Sequence, residues 1–360
     1  MRTVTRESVQ GPDGRVVPRA ARQRTRPGLK EVAKRAGVGV SSVSRVLTGH
    51  PEVSEVMRNR VMDAVAAIRY EPDLLAQSMR TGATMTIGFV VSDISNPLIS
   101  EIALGAELRL REAGYSMMVT NSLNKPEVEA DYIALLTRRR VDGLMLSITD
   151  ETSEMMDAAV RRFDSAVVLV DRHVAGADYA AVNCDHAHGI TEAFDHLVSL
   201  GHTRIGMVNG SPNVRPSRER AAALRRATRG SGTLSTVIRS AGFTPAHGYD
   251  ATMKMMAGKD APTAIIAGSN QILIGVLRAL RGLGLSIPGD VSLVTCDAVP
   301  LADFLDPPLS TIARVPREMG RMAAELLLEQ LAGEEPRTVM LPTQFVATLS
   351  CGPAADTHER

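Results

Sequence analysis

Five residues suited to touching nucleic acid crowd into one short window. Val40, Ser41, Ser42, Ser44 and Arg45 lie inside LKEVAKRAGVGVSSVSRVLTG, residues 29–49. Hydroxyls reach phosphates or base edges, a guanidinium pairs with phosphate or guanine, and valine meets a thymine methyl. That chemistry needs a helix with a small-sided outer face, able to press into a major groove. A second set of polar residues stands where apolar runs end: Asp93, Asn121, Asp171, Asp185 and Asp297. In parallel α/β sheets, ligands collect outside the carboxyl ends of the strands.

The elements that must position these groups follow from periodicity. Val32, Ala33 and Ala36 share one helical face, and Gly37 has the character of a helix-ending glycine. Val43 and Leu47, with Val46 beside them, can pack back on that first helix. Ser54 is placed to cap a third helix with the stripe Met57, Val61, Val65 and Ile68. Helix, glycine turn and helix read as a helix-turn-helix, or otherwise as an αα-hairpin of a helical core. After Pro72, the segment DLLAQSMRTGAT reads as a short helix ending at Gly82, whose roughly eight helical residues are too few to hold alone, since isolated helices need about 12–15 residues. From Met85 onward, apolar strand-like runs alternate with helical patterns. Some ten strands in this arrangement predict two similar α/β subdomains with parallel sheets.

Charge is divided along the chain. Residues 1–82 hold 15 Lys+Arg against 8 Asp+Glu, and the remainder holds 26 against 32. A basic head on an acidic body suits a polyanion partner. Residues 1–27, with seven arginines and little apolar pattern, are expected to be disordered. Cys184, Cys296 and Cys351 are too scattered for a metal or disulfide framework, and no secretory or membrane-spanning segment is evident, so a cytoplasmic protein is expected. G-x-S-x-G, P-loop and H-E-x-x-H motifs are absent, which argues against an enzyme. His186 and His188 stand near Cys184 and Asp185, but the reading is no metal and no cofactor; His196 and His202 are expected in surface or capping roles.

The stretch at 29–49, followed by VSEVMRNRVMDAVAAIRYEP and LLAQSMRTG, closely resembles the head of the lactose-repressor/galactose-repressor (LacI/GalR) family. The resemblance continues through TIGFVVSDISNPLISEIALGAE, RRRVDGLMLS, HLVSLGHTRIGMVNG and PTAIIAGSNQILIGVLRALRGLGLSIPGDVSLVTCD, covering about residues 28–352. It departs at Gly39, Asp73 and Met79 in the head and hinge, and at Ser269 and Asn270 in the body.

The resemblance implies a small all-α helix-turn-helix head plus an α/β periplasmic-binding-protein-like body of two doubly wound parallel-sheet subdomains. The expected boundaries are a basic arm at 1–27, the DNA-binding domain at 28–72, a hinge helix at 73–83, the effector-binding and dimerisation body at 84–352, and a tail at 353–360. Within the body, subdomain one is expected at about 84–184 plus 312–338, and subdomain two at about 185–311 plus 339–352. DNA contacts are expected from Lys30, Val40, Ser41, Ser42, Ser44 and Arg45, and in the minor groove from the hinge residues Leu75, Ala76, Met79 and Arg80. Effector contacts are expected from Asp93, Ser95 and Asn96, from Asp171 and Arg172, and from Arg220, Phe243, Ser269, Asn270 and Asp297. The implied function is transcriptional regulation, usually repression, by a homodimer. It binds double-stranded operator DNA under the control of a small-molecule effector, with no membrane partner. The competing class is a solute-binding protein of the same fold without DNA function.

Overall fold

The computed structural model describes residues 8–10, 16–18, 27–47, 49–70, 82–174, 176, 178–229, 233–297 and 305–354. The chain divides into two units, Met1–Gly82 and Ala83–Arg360. In the first, α1 (Leu29–Ala36), α2 (Val40–Leu47) and α3 (Glu55–Ile68) form a small bundle. Their limits have local causes. The Glu31 carboxylate accepts from the Gly28 amide at 2.9 Å, an anion in the first turn of α1. Gly37 ends α1 with φ of 65°, a conformation that favours glycine. The Ser54 hydroxyl accepts from the Met57 amide at 3.4 Å and opens α3. Val32, Ala33 and Ala36 meet Val43, Val46, Val61 and Ala64 in a buried core. Arg60 of α3 donates to the Ala36 carbonyl at 2.8 Å, satisfying an acceptor that the end of α1 leaves open.

Ahead of the bundle, β1 (Ser8–Gln10) pairs antiparallel with β2 (Val16–Pro18), Val9 facing Val17. Of the arm at 1–27, for which disorder is expected, these two strands and Pro27 are the described residues, and the rest of that expectation lies outside them. The expected hinge helix, with Leu75, Ala76, Met79 and Arg80, lies outside the described residues.

The second unit holds two six-stranded sheets. The first contains β3 (Thr86–Val91), β4 (Ser116–Asn121), β5 (Gly143–Ser147), β6 (Ala166–Val170), β7 (Ala180–Cys184) and β13 (Thr338–Leu341). It is parallel throughout, in the order β13-β7-β6-β5-β3-β4. The second contains β8 (Arg204–Asn209), β9 (Ser235–Ser240), β10 (Ala264–Ala267), β11 (Ser292–Cys296), β12 (Ser310–Ala313) and β14 (Gln344–Val346). Its order is β14-β12-β11-β10-β8-β9, and only β14 runs antiparallel. Helices cover both faces of each sheet, which is why the central strands read as unbroken apolar runs. In the first sheet, Ile87, Phe89 and Val91 face a core shared with α4 (Pro97–Glu112) and α11 (Pro316–Leu331). Val90 faces the opposite core, beneath α5 (Pro126–Arg138) and α6 (Glu154–Arg161). The second sheet lies between α7 (His186–Ser199) with α8 (Arg215–Thr228) on one side and α9 (Pro245–Met256) with α10 (Asn270–Gly282) on the other. A Cβ on Gly105 of α4 would lie 2.0 Å from the Arg317 carbonyl oxygen, so glycine lets α4 and α11 touch backbone to backbone.

Three chain crossings join the lobes: from β7 into α7, from β12 into α11, and from β13 into β14. Two fall later than expected. Ser310–Ala313 pairs wholly within the second sheet, and Thr338–Leu341 pairs with β7 of the first, so the switches come after residues 313 and 341 rather than near 312 and 338. No helix among the described residues is long and apolar enough to cross a membrane.

Candidate functional site

In the head, α2 meets the core through two of its residues. Val43 and Val46 are buried, which turns the intervening residues outward. Ser41 and Arg45 are exposed, Val40 is 43% exposed, and Ser42 and Ser44 are half-buried beside them. Lys30 is exposed in the first turn of α1. The outer face of α2 therefore offers hydroxyls, one valine and one guanidinium, with no bulky side chain to hold it off a groove floor.

The body offers a cavity of about 440 Å³ between its two lobes, within the roughly 300–1,000 Å³ of small-molecule sites. Asp93, Asn96, Asp171, Arg172, Arg220, Phe243, Ser269 and Asp297 all line it. Ser95 and Asn270 do not. Ser95 turns both its amide and its hydroxyl onto Asp93 Oδ1, at 2.9 and 2.7 Å. Asn270 spends its amide on Asn96 Oδ1 at 2.8 Å, a hydrogen bond from one lobe to the other. Two further residues have structural duties besides facing the cavity. Asn96 caps α4 through the Leu98 amide, and Ser269 caps α10 through Ile272.

Asp171 and Asp297 occupy equivalent places, each just past the end of a strand, β6 and β11. Both adopt positive φ, 52° and 72°. Left-handed backbone is strained for a residue with a Cβ, although Asp tolerates it better than most. It aims both carboxylates at one guanidinium. Arg314, in the crossing after β12, reaches Asp171 Oδ2 at 2.7 Å and Asp297 Oδ1 at 2.6 Å. Asp171 also accepts from Arg215 at 2.9 Å and meets His186 Nε2 at 2.8 Å.

These groups are buried, and their ionisation follows from the pairing. Burial alone would raise the Asp171 carboxyl, but His186, Arg314 and Arg172 outweigh it and hold it well below the usual range. Asp297 is likewise lowered against burial, by Arg314 and Arg220. Burial pushes His186 down to about 4, so at neutral pH its ring is uncharged. Burial lifts the Cys184 thiol to about 12, which leaves it unreactive at neutral pH.

A second cross-lobe clasp stands beside the cavity. Glu151 accepts from the Arg215 amide at 2.8 Å and pairs with Arg218 at 2.5 Å, while Asn213 donates to Asp150 at 3.0 Å. Arg314, Arg215 and Glu151 were not singled out from sequence. The available signal was arginine directly after a short apolar strand, in LSTIAR, and at a helix start, in VRPS. His202, expected at the surface or in a cap, is instead 1% exposed and bound to Thr263, Ser292 and the Gly352 carbonyl. His186 and His188 do not converge on a common ligand: the first meets Asp171, the second Glu192.

Two family models match the chain: bacterial regulatory proteins of the lacI family over residues 28–73, and the periplasmic binding protein-like domain over residues 194–351. The chain is 30% identical to the HTH-type transcriptional repressor PurR of Vibrio vulnificus over 309 residues, 85% of this chain and 92% of that protein. It is 29% identical to the HTH-type transcriptional regulator DegA of Bacillus subtilis, over 90% of this chain and 98% of that one. Among solved structures, a lac repressor dimer bound to operator and the anti-inducer ONPF superposes with a TM-score of 0.80 at 25% identity, covering 91% of this chain and 99% of that one. A LacI family regulator from Enterococcus faecium with bound ribose gives 0.67 at 27% identity, over 75% of this chain and 100% of that one.

Proposed function

The chain belongs to the LacI family of bacterial regulatory proteins, and from that premise we propose that it is a sequence-specific, DNA-binding transcriptional repressor whose operator affinity is set by a small effector in the interlobe cavity. It acts as a homodimer, each head laying α2 in the major groove of one half-site. Ser41, Ser42, Ser44 and Arg45 contact phosphates and base edges, Val40 meets a thymine methyl, and Lys30 holds the backbone. Leu75, Ala76, Met79 and Arg80 act at the operator centre in the minor groove, where apolar wedges unstack a base step. The observation that carries this reading is the outward face of α2, small-sided and exposed while Val43 and Val46 anchor it.

The effector contacts are Asp93, Asn96, Asp171, Arg172, Arg220, Phe243, Ser269 and Asp297, which surround one cavity built by both lobes. A ligand there exerts control by preferring one arrangement of the lobes over another. Typical coupling of about 1–3 kcal/mol would change operator affinity roughly 5- to 150-fold.

Selection of bound duplexes from a random pool tests the DNA role, followed by affinity measurements across a salt series. The expected result is one roughly palindromic consensus, an affinity that falls steeply with salt, and loss of sequence preference in Ser41→Ala/Arg45→Ala. Failure to enrich any sequence, with a flat salt dependence, would favour the solute-binding alternative.

A further inference from the structure

Three arginines, Arg172, Arg220 and Arg314, and four aspartates, Asp93, Asp150, Asp171 and Asp297, line the cavity. From one lobe to the other stand Arg172, Asp171, Arg314, Asp297 and Arg220. Arg314 is fully engaged, bridging both aspartates at 2.7 and 2.6 Å. The two outer arginines are not. Arg220 is 2% exposed, lines the cavity, and among the described residues makes one hydrogen bond, to the Gly268 carbonyl at 2.7 Å, and no ion pair. Arg172 lines the same cavity and spends its bonds on two backbone carbonyls, those of Ile148 and of Asp171 at 2.8 Å, again without an ion pair among the described residues. The acids of the rim are already occupied. Asp93 Oδ1 holds Ser95, and Asp150 holds Thr152 through one oxygen and Asn213 through the other.

A guanidinium removed from water and left with neutral partners is unfavourable until an anion faces it, and its planar fork fits a carboxylate in two-point fashion. A neutral ligand would leave both forks without a direct ion pair, Arg172 feeling Asp171, Glu151 and Glu129, and Arg220 feeling Asp297, only at longer range. Elsewhere the lining is apolar and largely aliphatic, with Leu98, Ile102, Val214 and Phe243. We infer that the effector is a small hydroxylated carboxylic acid, its carboxylate held by Arg172 and Arg220 and its body lying against that aliphatic lining. This rests on the reading of the cavity as the effector site.

The test uses the full-length protein in thermal-shift and calorimetric titrations with D-gluconate, D-glucuronate, D-glucose and glucose 6-phosphate. At least one of the two acids is expected to bind ten-fold or more tightly than glucose, with affinity falling as salt rises. Arg220→Gln and Arg172→Gln should each lower that affinity ten-fold or more, and Arg220→Lys should restore part of it. If Arg220→Gln fails to fold, Arg172→Gln and the salt dependence still decide. Binding of neither acid, or of glucose as tightly as the acids, overturns the inference. Binding of the phosphate ester alone overturns the carboxylate in particular. If glucose binds and Arg220→Gln abolishes it, the cavity remains the effector site and only the acid is lost. If the acids bind but both glutamine variants bind them unchanged, the arginine pair is not the anchor and the inference falls.

Discussion

Arg314→Met removes the guanidinium that joins the lobes while keeping most of its volume. Taking one partner from a buried ion pair typically costs about 3–5 kcal/mol, because the other is left charged in a poor solvent. The structure says where that cost falls. Without Arg314, Asp171 still has Arg215 at 2.9 Å, His186 at 2.8 Å and the Cys184 amide at 3.3 Å. Asp297 has no other ion pair among the described residues, only the longer-range field of Arg220. Most of the loss should therefore sit at Asp297. Adding Asp297→Asn to the variant should return about 2–3 kcal/mol, and Asp171→Asn less than about 1 kcal/mol. Urea denaturation of the four proteins at pH 7 measures the difference. Acidification supplies a second check. In the parent, the lowered Asp297 carboxyl gives stability that is present above its unfolded pKa and lost as pH falls. In Arg314→Met, burial unopposed by Arg314 raises the folded pKa, so the variant is penalised most at high pH and the gap should close toward pH 4. If Asp171→Asn rescues Arg314→Met as well as Asp297→Asn does, the assignment of the stranded charge is wrong.

Two further outcomes are expected of the same body. His186 is held near 4 in the folded protein against about 6.5 unfolded, so it contributes stability above 6.5 that is lost as pH falls from 6.5 toward 4, up to about 3 kcal/mol. His186→Asn should flatten that part of the stability–pH curve; an unchanged slope would assign the acid sensitivity to other groups. Gly105→Ala should destabilise by about 1–3 kcal/mol, because its Cβ would meet the Arg317 carbonyl oxygen at 2.0 Å, whereas Gly282→Ala, with nothing within 4 Å, should be neutral or mildly stabilising in thermal unfolding.

Local rules made the head legible. The Val32, Ala33, Ala36 face, Gly37 and the Ser54 cap are signals contained within a few residues, and each appears where its chemistry requires. The twin α/β lobes were equally visible in runs such as TIGFVV and AVVLVD, since strands covered on both sides have no polar alternation to disguise them. Strands β12, β13 and β14 were harder. They have only three or four residues, and what makes each a strand is a partner far away in sequence. The cavity was half legible for the same reason. Asp171 and Asp297 stand out at strand ends, but nothing local to LSTIAR says that Arg314 will join them. Asn270 looks in sequence like a ligand residue, and only the folded lobes turn it toward Asn96.

The three crossings have a consequence for synthesis. All of lobe two except β14 and the segment that follows it is encoded between β7 and α11, so a nascent chain can assemble most of its second sheet while its first still lacks α11 and β13. Until α11 has emerged, the apolar side built from Ile87, Phe89 and Val91 waits for Met319, Ala323 and Leu327. A ribosome that stops anywhere between residues 200 and 315 would thus release a product with an uncovered, sticky surface on its earlier-made lobe, a natural substrate for chaperones and proteases.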